Sequence, residues 1–352
     1  MERLAEFFDE ELTPMVRRMA YRPQRVTAAT ADNQAIRAMV WQALVGPDTM
    51  PADGTRLAQQ ELIAVAEQLG AVLCQGPLLD TLVAAELLQA SARSALLPRG
   101  ASVALAVRED GAANPAEPAN MVVDRSEEVV DARRSFVGFA ADVDHLLLVG
   151  RTPAGVRLAL TPRDHPTVSL HRHEDLGRGE LYRVRFSGTP VTAWLGDGKH
   201  WADLLATARI RQAGYLVGMS QAALDLAVTY AKSRRQFGQP IGRFQWVAFR
   251  LSALTATIEA ARTLTRDAAR DADRGVDPRF VAAQCLATAA KVAREVTTYA
   301  LQVHGASGLR EDNDAQLYFR RAAIEALWWG SPTQLRVEAT PLLRARLTDA
   351  DS

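Results

Sequence analysis

The stretch YAKSRRQFGQPIGRFQ covers residues 230–245 and lies between two long segments with helical periodicity. Its adjacent arginines, Arg234 and Arg235, run into a Phe-Gly pair, which predicts a helix end followed by a turn. A cationic helix end beside a glycine-bearing turn can offer guanidinium and free backbone N–H groups to an anion such as pyrophosphate. By composition alone, a solvated helix end explains the same residues more simply.

The segments on both sides of this stretch predict a helical bundle. Each carries an apolar stripe at helical spacing, formed by Ile210, Ala213, Val217, Leu224 and Val228 before it and by Val247, Leu251, Leu254, Ile258 and Ala261 after it. Gly275 can end the second helix, and Asp277-Pro278 supplies a start for the third. The third helix is expected to run to about Gly305 and the fourth from about Asp314 to Trp329. Four long helices in sequence favour an up-and-down four-helix bundle.

The rest of the chain divides into two further regions. Residues 1–100 read as helices, with apolar residues at helical spacing from Leu4 to Leu12, from Leu62 to Val72 and again within 78–97. Residues 101–195 alternate apolar and polar side chains, as expected of an antiparallel sheet with one wet face. Within them, the polar segment 112–134 predicts loops at a sheet edge. The predicted fold is α+β and mostly α: an N-terminal helical domain (1–100), a central antiparallel β-domain (101–195) and a C-terminal four-helix bundle with a terminal helix (196–352).

Composition narrows the function classes. The chain has 352 residues with 41 Lys+Arg and 41 Asp+Glu, so no global field indicates binding to nucleic acid or to an acidic membrane. No apolar run is long enough to span a membrane, and the acidic N-terminus does not resemble a secretory signal. Cys74 and Cys285 lie in apolar contexts, which predicts small core residues in a reducing compartment. We therefore expect a cytoplasmic protein.

With this architecture, the chain resembles the acyl-CoA dehydrogenase family. The similarity is strongest in YAKSRRQFGQPIGRFQ at 230–245, LQVHGASG at 301–308 and YFRRAAIEALWWGSPTQLR at 318–336. It extends more weakly over nearly the whole chain, including EQLGAVLCQGPLL at 67–79. In this family FAD lies across a subunit interface, with the flavin held by one subunit and the ADP half by the bundle of its neighbour. The resemblance thus implies FAD as the cofactor and an oligomeric enzyme.

The resemblance also assigns cofactor-binding positions in the bundle. Arg234, Gln236 and Phe237 match the residues at the ADP end, and Gln302, His304 and Gly305 match those near the pyrophosphate. The chemistry suits these positions, because guanidinium forks pair with phosphate and glycine permits a close backbone approach. For His304, a satisfied core histidine is the competing interpretation.

The general base of the family is missing from both of its usual positions. Family members remove the substrate α-proton with a glutamate, whose two alternative places are occupied here by Trp329 and Ala208. Neither an indole nor a methyl group can accept that proton. Glu325 lies one helical turn before Trp329 and is a weak candidate for a displaced base, solvation on a helix surface being the competing interpretation. Trp329 itself could fill the vacated cavity or reshape it.

Residues that would serve this subunit's own flavin are also altered. The stretch VREDGAAN at 107–114 has lost the Thr and Ser of the corresponding family motif, and Gly138 in FVG stands where a threonine usually contacts the ring. Ser331 remains as a possible hydroxyl beside the flavin. Losing the flavin and substrate contacts while keeping the ADP contacts is what one expects of the non-catalytic subunit of a heteromeric dehydrogenase. The family includes such complexes in actinobacterial sterol side-chain degradation.

These expectations define one leading function and two alternatives. The leading one is FAD-dependent α,β-dehydrogenation of an acyl-CoA, with a sterol side chain or other bulky acyl group as the candidate substrate. A same-fold subunit bearing the base would complete an α2β2 assembly, and an electron-transfer flavoprotein or similar acceptor would reoxidise the flavin. One alternative is a homo-oligomeric flavoenzyme with a non-standard base acting on a biosynthetic or carrier-bound substrate. The other is a structural partner subunit without cofactor. No metal site is expected, because the pair His171 and His173 lacks further ligands and is better explained as a solvated loop.

Overall fold

The structure of the chain is a computed structural model. It describes residues 58–350 apart from 75, 92, 98–100, 111–113, 125, 175 and 178, so the helices predicted from Leu4 to Leu12 lie outside the described residues. The described residues fall into two compact units, a helical one formed by 58–74 and 209–350 and a second one formed by 76–208. The three domain boundaries given above stay predictions.

Long helices dominate the described part of the chain. They are α1 (Gln59–Ala71), α2 (Leu78–Ala90), α3 (Gly198–Ser233), α4 (Gln245–Asp273), α5 (Arg279–His304), α6 (Asp314–Glu325) and α7 (Pro332–Ala350). The predicted mixed and mostly helical fold is confirmed. Among the described residues, no helix is long and apolar enough to cross a membrane.

The core of the helical unit forms around α5, which packs against α4, α6 and α7. Its apolar face is rich in alanine, and small side chains allow neighbouring helices to approach closely. Close approach is most pronounced where α1 crosses α3. A Cβ built on Gly70 would lie 1.8 Å from the carbonyl oxygen of Tyr215, and one built on Gly218 would lie 1.8 Å from that of Glu67. Only glycine fits at these two positions, so the crossing is encoded directly in the sequence.

The helix ends follow the predicted signals. Helix α4 ends at Asp273, two residues before Gly275, whose φ of +76° is in the left-handed region that glycine adopts without strain. Helix α5 begins at Arg279, directly after Asp277-Pro278, and the Asp277 carboxylate accepts a hydrogen bond from the backbone N–H of Arg279 at 3.0 Å. The end of the second bundle helix and the start of the third are therefore confirmed, whereas the fourth helix, predicted to run to about Trp329, ends at Glu325.

Two four-stranded sheets form the body of the second unit. One has the order β1 (Val103–Ala106), β4 (His145–Thr152), β5 (Gly155–Pro162), β8 (Ala193–Asp197), and the other the order β2 (Val122–Val123), β3 (Val129–Gly138), β7 (Leu181–Pro190), β6 (Val168–His173). All strand pairs are antiparallel, as predicted, except β1 with β4, which are parallel. Strand β7 shows the expected wet face, with Val184 and Phe186 buried and Arg183 and Arg185 exposed.

The interpretation of residues 112–134 as edge loops is wrong for their last six residues. Residues from Val129 onward form β3, which is paired with β2 and β7 inside its sheet. Polar composition misled the prediction because Arg134 is fully buried. Its guanidinium donates to the backbone carbonyl oxygens of Ala119, Asn120, Arg133 and Val149, at distances from 2.6 to 3.2 Å. Burial lowers the Arg134 pKa to about 10.

Candidate functional site

The arginine motif forms a small hairpin at the end of α3. Residues Arg235–Gln236 pair with Gln239–Pro240 across a turn made of Phe237 and Gly238, whose φ angles are +49° and +80°. Two consecutive positive φ angles are typical of the type I′ turns that close two-residue hairpins. The backbone N–H of Ile241 donates to the carbonyl oxygen of Arg234 at 2.8 Å and closes the base of this loop. The predicted turn after the helix is thus confirmed.

Phe237 occupies an unfavourable position for a side chain with only a structural role. It is 90% exposed, and its left-handed backbone is one that a bulky residue adopts only at a cost of about 1–2 kcal/mol. Its ring meets Phe244 edge-on, with centroids 6.1 Å apart. An exposed aromatic ring on strained backbone is typical of a contact surface for a ligand or a partner.

The polar side chains of the hairpin differ in how they are engaged. Arg235 donates to the carbonyl oxygen of Gly238 at 3.0 Å, and the Gln236 amide donates to the carbonyl oxygen of Arg235 at 2.8 Å. Arg234 is exposed and makes no ion pair or side-chain hydrogen bond with the part of the chain that the structure describes. Of the three polar residues, Arg234 is therefore the one whose donors are available for an anion.

The second predicted segment lies at the end of α5. Gln302 is exposed, and Gly305 has φ +57° and ψ −140° with no heavy atom within 4 Å of the place where a Cβ would stand. Open space beside a glycine backbone fits a ligand that approaches the main chain closely. His304 is instead buried, with its Nδ1 atom 2.7 Å from the carbonyl oxygen of Ala300.

A stacking contact brings the two segments together. The Tyr230 ring from the last turn of α3 stacks on His304, with centroids 4.3 Å apart and an interplanar angle of 28°. Ser307 extends the contact, since its hydroxyl lies 3.3 Å from that of Tyr230. This packing of His304 fits its competing interpretation as a core histidine and fixes the hairpin relative to the end of α5, while its predicted contact with the cofactor stays a prediction. Together Arg234, Phe237, Gln302 and Gly305 form what we call the clamp surface.

Trp329 is 6% exposed, and its backbone is held by a buried arginine. The Arg209 Nε donates to the Trp329 carbonyl oxygen at 3.1 Å, and the same guanidinium pairs with the Glu338 carboxylate at 2.8 Å. Gly330 follows with φ +122°, and a Cβ there would lie 3.2 Å from the Leu335 side chain. Ala208 is also buried, at 4% exposure. Neither of the two positions that would carry a base presents a titratable group.

Glu325 is held in a buried polar network. Its side chain is 13% exposed and pairs with Arg321, which is 6% exposed. The Gln212 amide donates at 3.1 Å both to the Glu325 carboxylate and to the Glu325 carbonyl oxygen. The interpretation as a solvated helix-surface residue is therefore wrong, because neighbouring helices enclose the carboxylate. The carboxylate is therefore already engaged by an arginine and an amide.

Ser331 has a local structural role. Its backbone N–H donates to the Gln334 side-chain oxygen at 2.9 Å, and its Oγ accepts from the Gln334 backbone N–H at 3.3 Å. This reciprocal arrangement is a capping box at the start of α7, with Pro332 in the first helical position. The Ser331 hydroxyl accepts in this capping box and can still donate its own proton to another group. Its predicted contact with a flavin stays a prediction.

The histidine pair lies on a strand and not in a loop, which corrects the sequence-based interpretation. His171 and His173 belong to β6 and share a face, with ring centroids 6.4 Å apart, and His173 stacks on Phe136 at 5.6 Å. Among residues that the structure describes, no group of three or more His, Cys, Asp or Glu could hold a metal ion. The altered stretch 107–114 is described only in part, and Gly138 closes strand β3.

Comparison with known proteins shows which class this fold and these motifs resemble. Residues 199–336 match the model of the acyl-CoA dehydrogenase C-terminal domain. Over 340 residues the chain is 28% identical to acyl-CoA dehydrogenase IpdE2 of Mycolicibacterium smegmatis, covering 94% of this chain and 95% of that protein. Several other curated acyl-CoA dehydrogenases match more locally, and the chain spans about half of their length.

Two solved structures share the fold over almost the whole chain. One is described as the Tcur3481-Tcur3483 steroid ACAD G363A variant, with a TM-score of 0.83 and 24% identity over 98% of this chain and 99% of that one. The other is the ChsE4-ChsE5 complex from Mycobacterium tuberculosis, with a TM-score of 0.76 and 20% identity over 95% of this chain and 97% of that one. Residues 199–336 thus match an acyl-CoA dehydrogenase C-terminal domain, and the chain as a whole is similar to acyl-CoA dehydrogenases, oxidoreductases whose cofactor is FAD.

The clamp surface offers the kinds of group that an anionic ligand needs, and its predicted contact with the ADP end of FAD stays a prediction. Arg234 offers a guanidinium without a competing carboxylate, Phe237 offers an exposed ring, and Gly305 leaves room beside its backbone. Sequence reasoning missed Arg209, Gln212, Arg321 and Glu338, which surround Trp329 and Glu325. One signal was available, because α3 carries arginines among its apolar positions. Buried charged residues are rare unless they are paired, so these arginines indicate buried partners elsewhere in the fold.

Proposed function

We propose that this chain is the subunit without a catalytic base in a heteromeric FAD-dependent acyl-CoA dehydrogenase. The observation that carries the proposal is the buried Trp329 in the place of the family's base, while the clamp surface for a neighbour's cofactor is intact. When bound, FAD would supply the acceptor for the hydride that leaves the substrate β-carbon. The base that removes the α-proton then belongs to a same-fold partner.

The role of this chain in the reaction is to bind and to orient. Arg234 would pair with phosphate oxygens of the FAD whose flavin the partner holds, and Gly305 would allow those oxygens to approach the backbone. Phe237 would cover the adenosine end and keep water from it. The Tyr230–His304 stack keeps both halves of the clamp surface in register. An electron-transfer flavoprotein is the acceptor that we propose for the assembled enzyme.

A displaced base within this chain is disfavoured by the pairing of the nearby carboxylates. Glu325 pairs with Arg321, and Glu338 pairs with Arg209. Each carboxylate would have to leave an ion pair in a mostly buried setting to reach a substrate, which is costly. This reasoning supports the heteromeric enzyme over the homo-oligomeric alternative with a non-standard base.

The substrate that we propose is a bulky acyl-CoA such as a sterol side-chain thioester. Support comes from the likeness to a structure described as a steroid ACAD. The test is to assay the chain, co-expressed with a same-fold dehydrogenase that carries the glutamate, against steroid side-chain and straight-chain acyl-CoA thioesters. Turnover restricted to straight-chain substrates would contradict this choice.

Arg234→Gln tests the clamp role directly. The variant should assemble with the partner and yet lose FAD, because the phosphate contact is removed while the hairpin hydrogen bonds remain. Arg274→Gln is a matched control, since Arg274 is an exposed arginine at the end of α4. Equal FAD content in the wild type and in Arg234→Gln would favour a purely structural subunit.

A further inference from the structure

A second concentration of positive charge lies on the bundle away from the arginine hairpin. An open cavity of about 690 Å³ is bounded by α4, α5 and the start of α7, and it is lined by Arg250, Lys291, Arg294, Glu295, Thr298, Tyr299, Gln302, Pro332 and Arg336. Four cations and one carboxylate face this space. A volume of this size is within the range of small-molecule sites, about 300–1,000 Å³.

The single carboxylate is already neutralised. Glu295 pairs with Arg250 at 2.6 Å, and the Arg250 guanidinium also lies over the Tyr299 ring, 5.7 Å from its centroid. Lys291, Arg294 and Arg336 make no ion pair with any residue that the structure describes. Three cations without a counter-charge around one concavity produce a local positive field, and such a field concentrates anions.

The position of these cations separates them from the clamp surface. Lys291 and Gln302 are eleven residues apart on α5, which corresponds to about 16 Å along the helix axis at about 1.5 Å per residue. One pyrophosphate group is far shorter than that distance, so a cofactor phosphate held at Arg234 and Gly305 would leave Lys291 and Arg294 without a counter-charge. Only Gln302 belongs to both surfaces.

We propose that this cavity is a separate binding site for a phosphorylated small molecule that carries at least two negative charges. A guanidinium group binds phosphoryl oxygens through a fork of N–H donors, and an ammonium group binds them as a point charge. The Tyr299 ring gives the cavity an aromatic wall, and the Thr298 hydroxyl and the Gln302 amide add hydrogen-bonding groups. A nucleoside diphosphate combines the charge, the length and the flat base that match this lining.

The experiment is isothermal titration of inorganic pyrophosphate and of ADP into the full chain. The variant Lys291→Gln/Arg294→Gln should bind both probes at least about tenfold more weakly than the wild type, because two cations leave the site. The matched control Lys199→Gln/Arg274→Gln removes one exposed lysine and one exposed arginine elsewhere and should bind like the wild type. Raising the salt concentration should weaken wild-type binding, as expected for an exposed ionic site.

The outcomes separate this proposal from the proposed function. Arg234→Gln should weaken pyrophosphate binding much less than Lys291→Gln/Arg294→Gln does, and equal weakening by the two variants would place the ligand at the clamp surface and overturn the separate site. Absence of pyrophosphate and ADP binding to the wild type, or undiminished binding to Lys291→Gln/Arg294→Gln, would also overturn it. Thermal unfolding of each variant checks that the fold is retained.

Two natural sources share this chemistry, since both FAD and CoA carry an ADP group. Titration of CoA and FAD into the same variants distinguishes them. Loss of CoA affinity alone in Lys291→Gln/Arg294→Gln identifies the nucleotide end of the substrate, whereas loss of FAD affinity would place the cofactor in this cavity and overturn the separate site. Weakened pyrophosphate and ADP binding with unchanged CoA and FAD affinities identifies a free nucleotide or polyphosphate.

Discussion

Replacing Arg209 by methionine tests the buried charge network that holds the backbone of Trp329. The Arg209 and Glu338 side chains are only 7% and 18% exposed, and their nearest charged atoms are 2.8 Å apart. Arg209→Met removes the cation and leaves the Glu338 carboxylate without its partner in this mostly buried setting. Breaking a buried ion pair from one side costs about 3–5 kcal/mol. Loss of the hydrogen bond to the Trp329 carbonyl oxygen adds about 1 kcal/mol.

The assay is urea unfolding at pH 7, with far-ultraviolet circular dichroism as the signal that reports the unfolded fraction. We expect the free energy of unfolding of Arg209→Met to fall by about 4–6 kcal/mol. In Arg209→Met/Glu338→Met both charges are absent, so no unpaired charge is buried. The free energy of unfolding of this double variant should therefore lie only about 1–2 kcal/mol below that of the wild type. Arg270→Met is the control, because Arg270 and its partner Asp267 are 46% and 49% exposed and such pairs contribute at most about 1 kcal/mol. A loss below about 1 kcal/mol in Arg209→Met, or no recovery in the double variant, would refute the reasoning.

Three further predictions follow from local geometry. Gly218→Ala should lower the free energy of unfolding by about 1–3 kcal/mol or more, measured in urea, because its Cβ would collide with the carbonyl oxygen of Glu67. Phe237→Gly should leave stability unchanged or raise it by about 1 kcal/mol while lowering FAD content, since it relieves a left-handed φ and removes the exposed ring. Hydrogen bonds from the Ser126 side chain and the Val129 backbone lower the Asp124 pKa to about 2. The ionised Asp124 carboxylate therefore stabilises the fold fully above the ordinary Asp pKa of about 3.9, and this stabilisation disappears as the pH falls towards 2. Asp124→Asn should therefore be less stable than the wild type at pH 7, with the difference shrinking in acid. Unchanged stability in Gly218→Ala, full FAD content in Phe237→Gly, or a pH-independent effect of Asp124→Asn would contradict these expectations.

The helical part of the fold was predictable because its signals are local. Apolar periodicity indicated α4 and α5, and Gly275 with Asp277-Pro278 marked the junction between them. The Phe-Gly pair indicated the turn after α3, because Gly238 accepts a positive φ. Periodicity and turn chemistry depend on neighbours in sequence, so they can be read without tertiary structure.

The misread strand β3 shows why other features were not predictable. Its first six residues include Asp131, Arg133 and Arg134, which together suggest a solvated segment. Arg134 is nevertheless buried, because backbone carbonyl oxygens from separate segments satisfy its donors. Such partners are created only by folding, and polar composition carries no information about them.

The candidate site was likewise predictable where its signals lie in the local sequence and not where they depend on tertiary contacts. The motif match identified Arg234, Phe237, Gln302 and Gly305, whose exposed or open positions suit a ligand. It did not reveal that Tyr230 and His304 join the two motif segments, since that contact links helices 74 residues apart in sequence. The buried partners of Trp329 and Glu325 likewise come from α3, α6 and α7, and only the folded chain brings them together.

The central claim is that this chain clamps a cofactor whose flavin and base belong to a partner. The most direct measurement is the FAD content per chain, obtained from the visible spectrum and protein mass, of the lone protein and of its co-purified complex with a same-fold dehydrogenase that bears the glutamate. Our account predicts no retained FAD and no turnover for the lone chain, and one FAD per two chains in the active complex. One FAD per chain in the lone protein, together with turnover of an acyl-CoA, would contradict it.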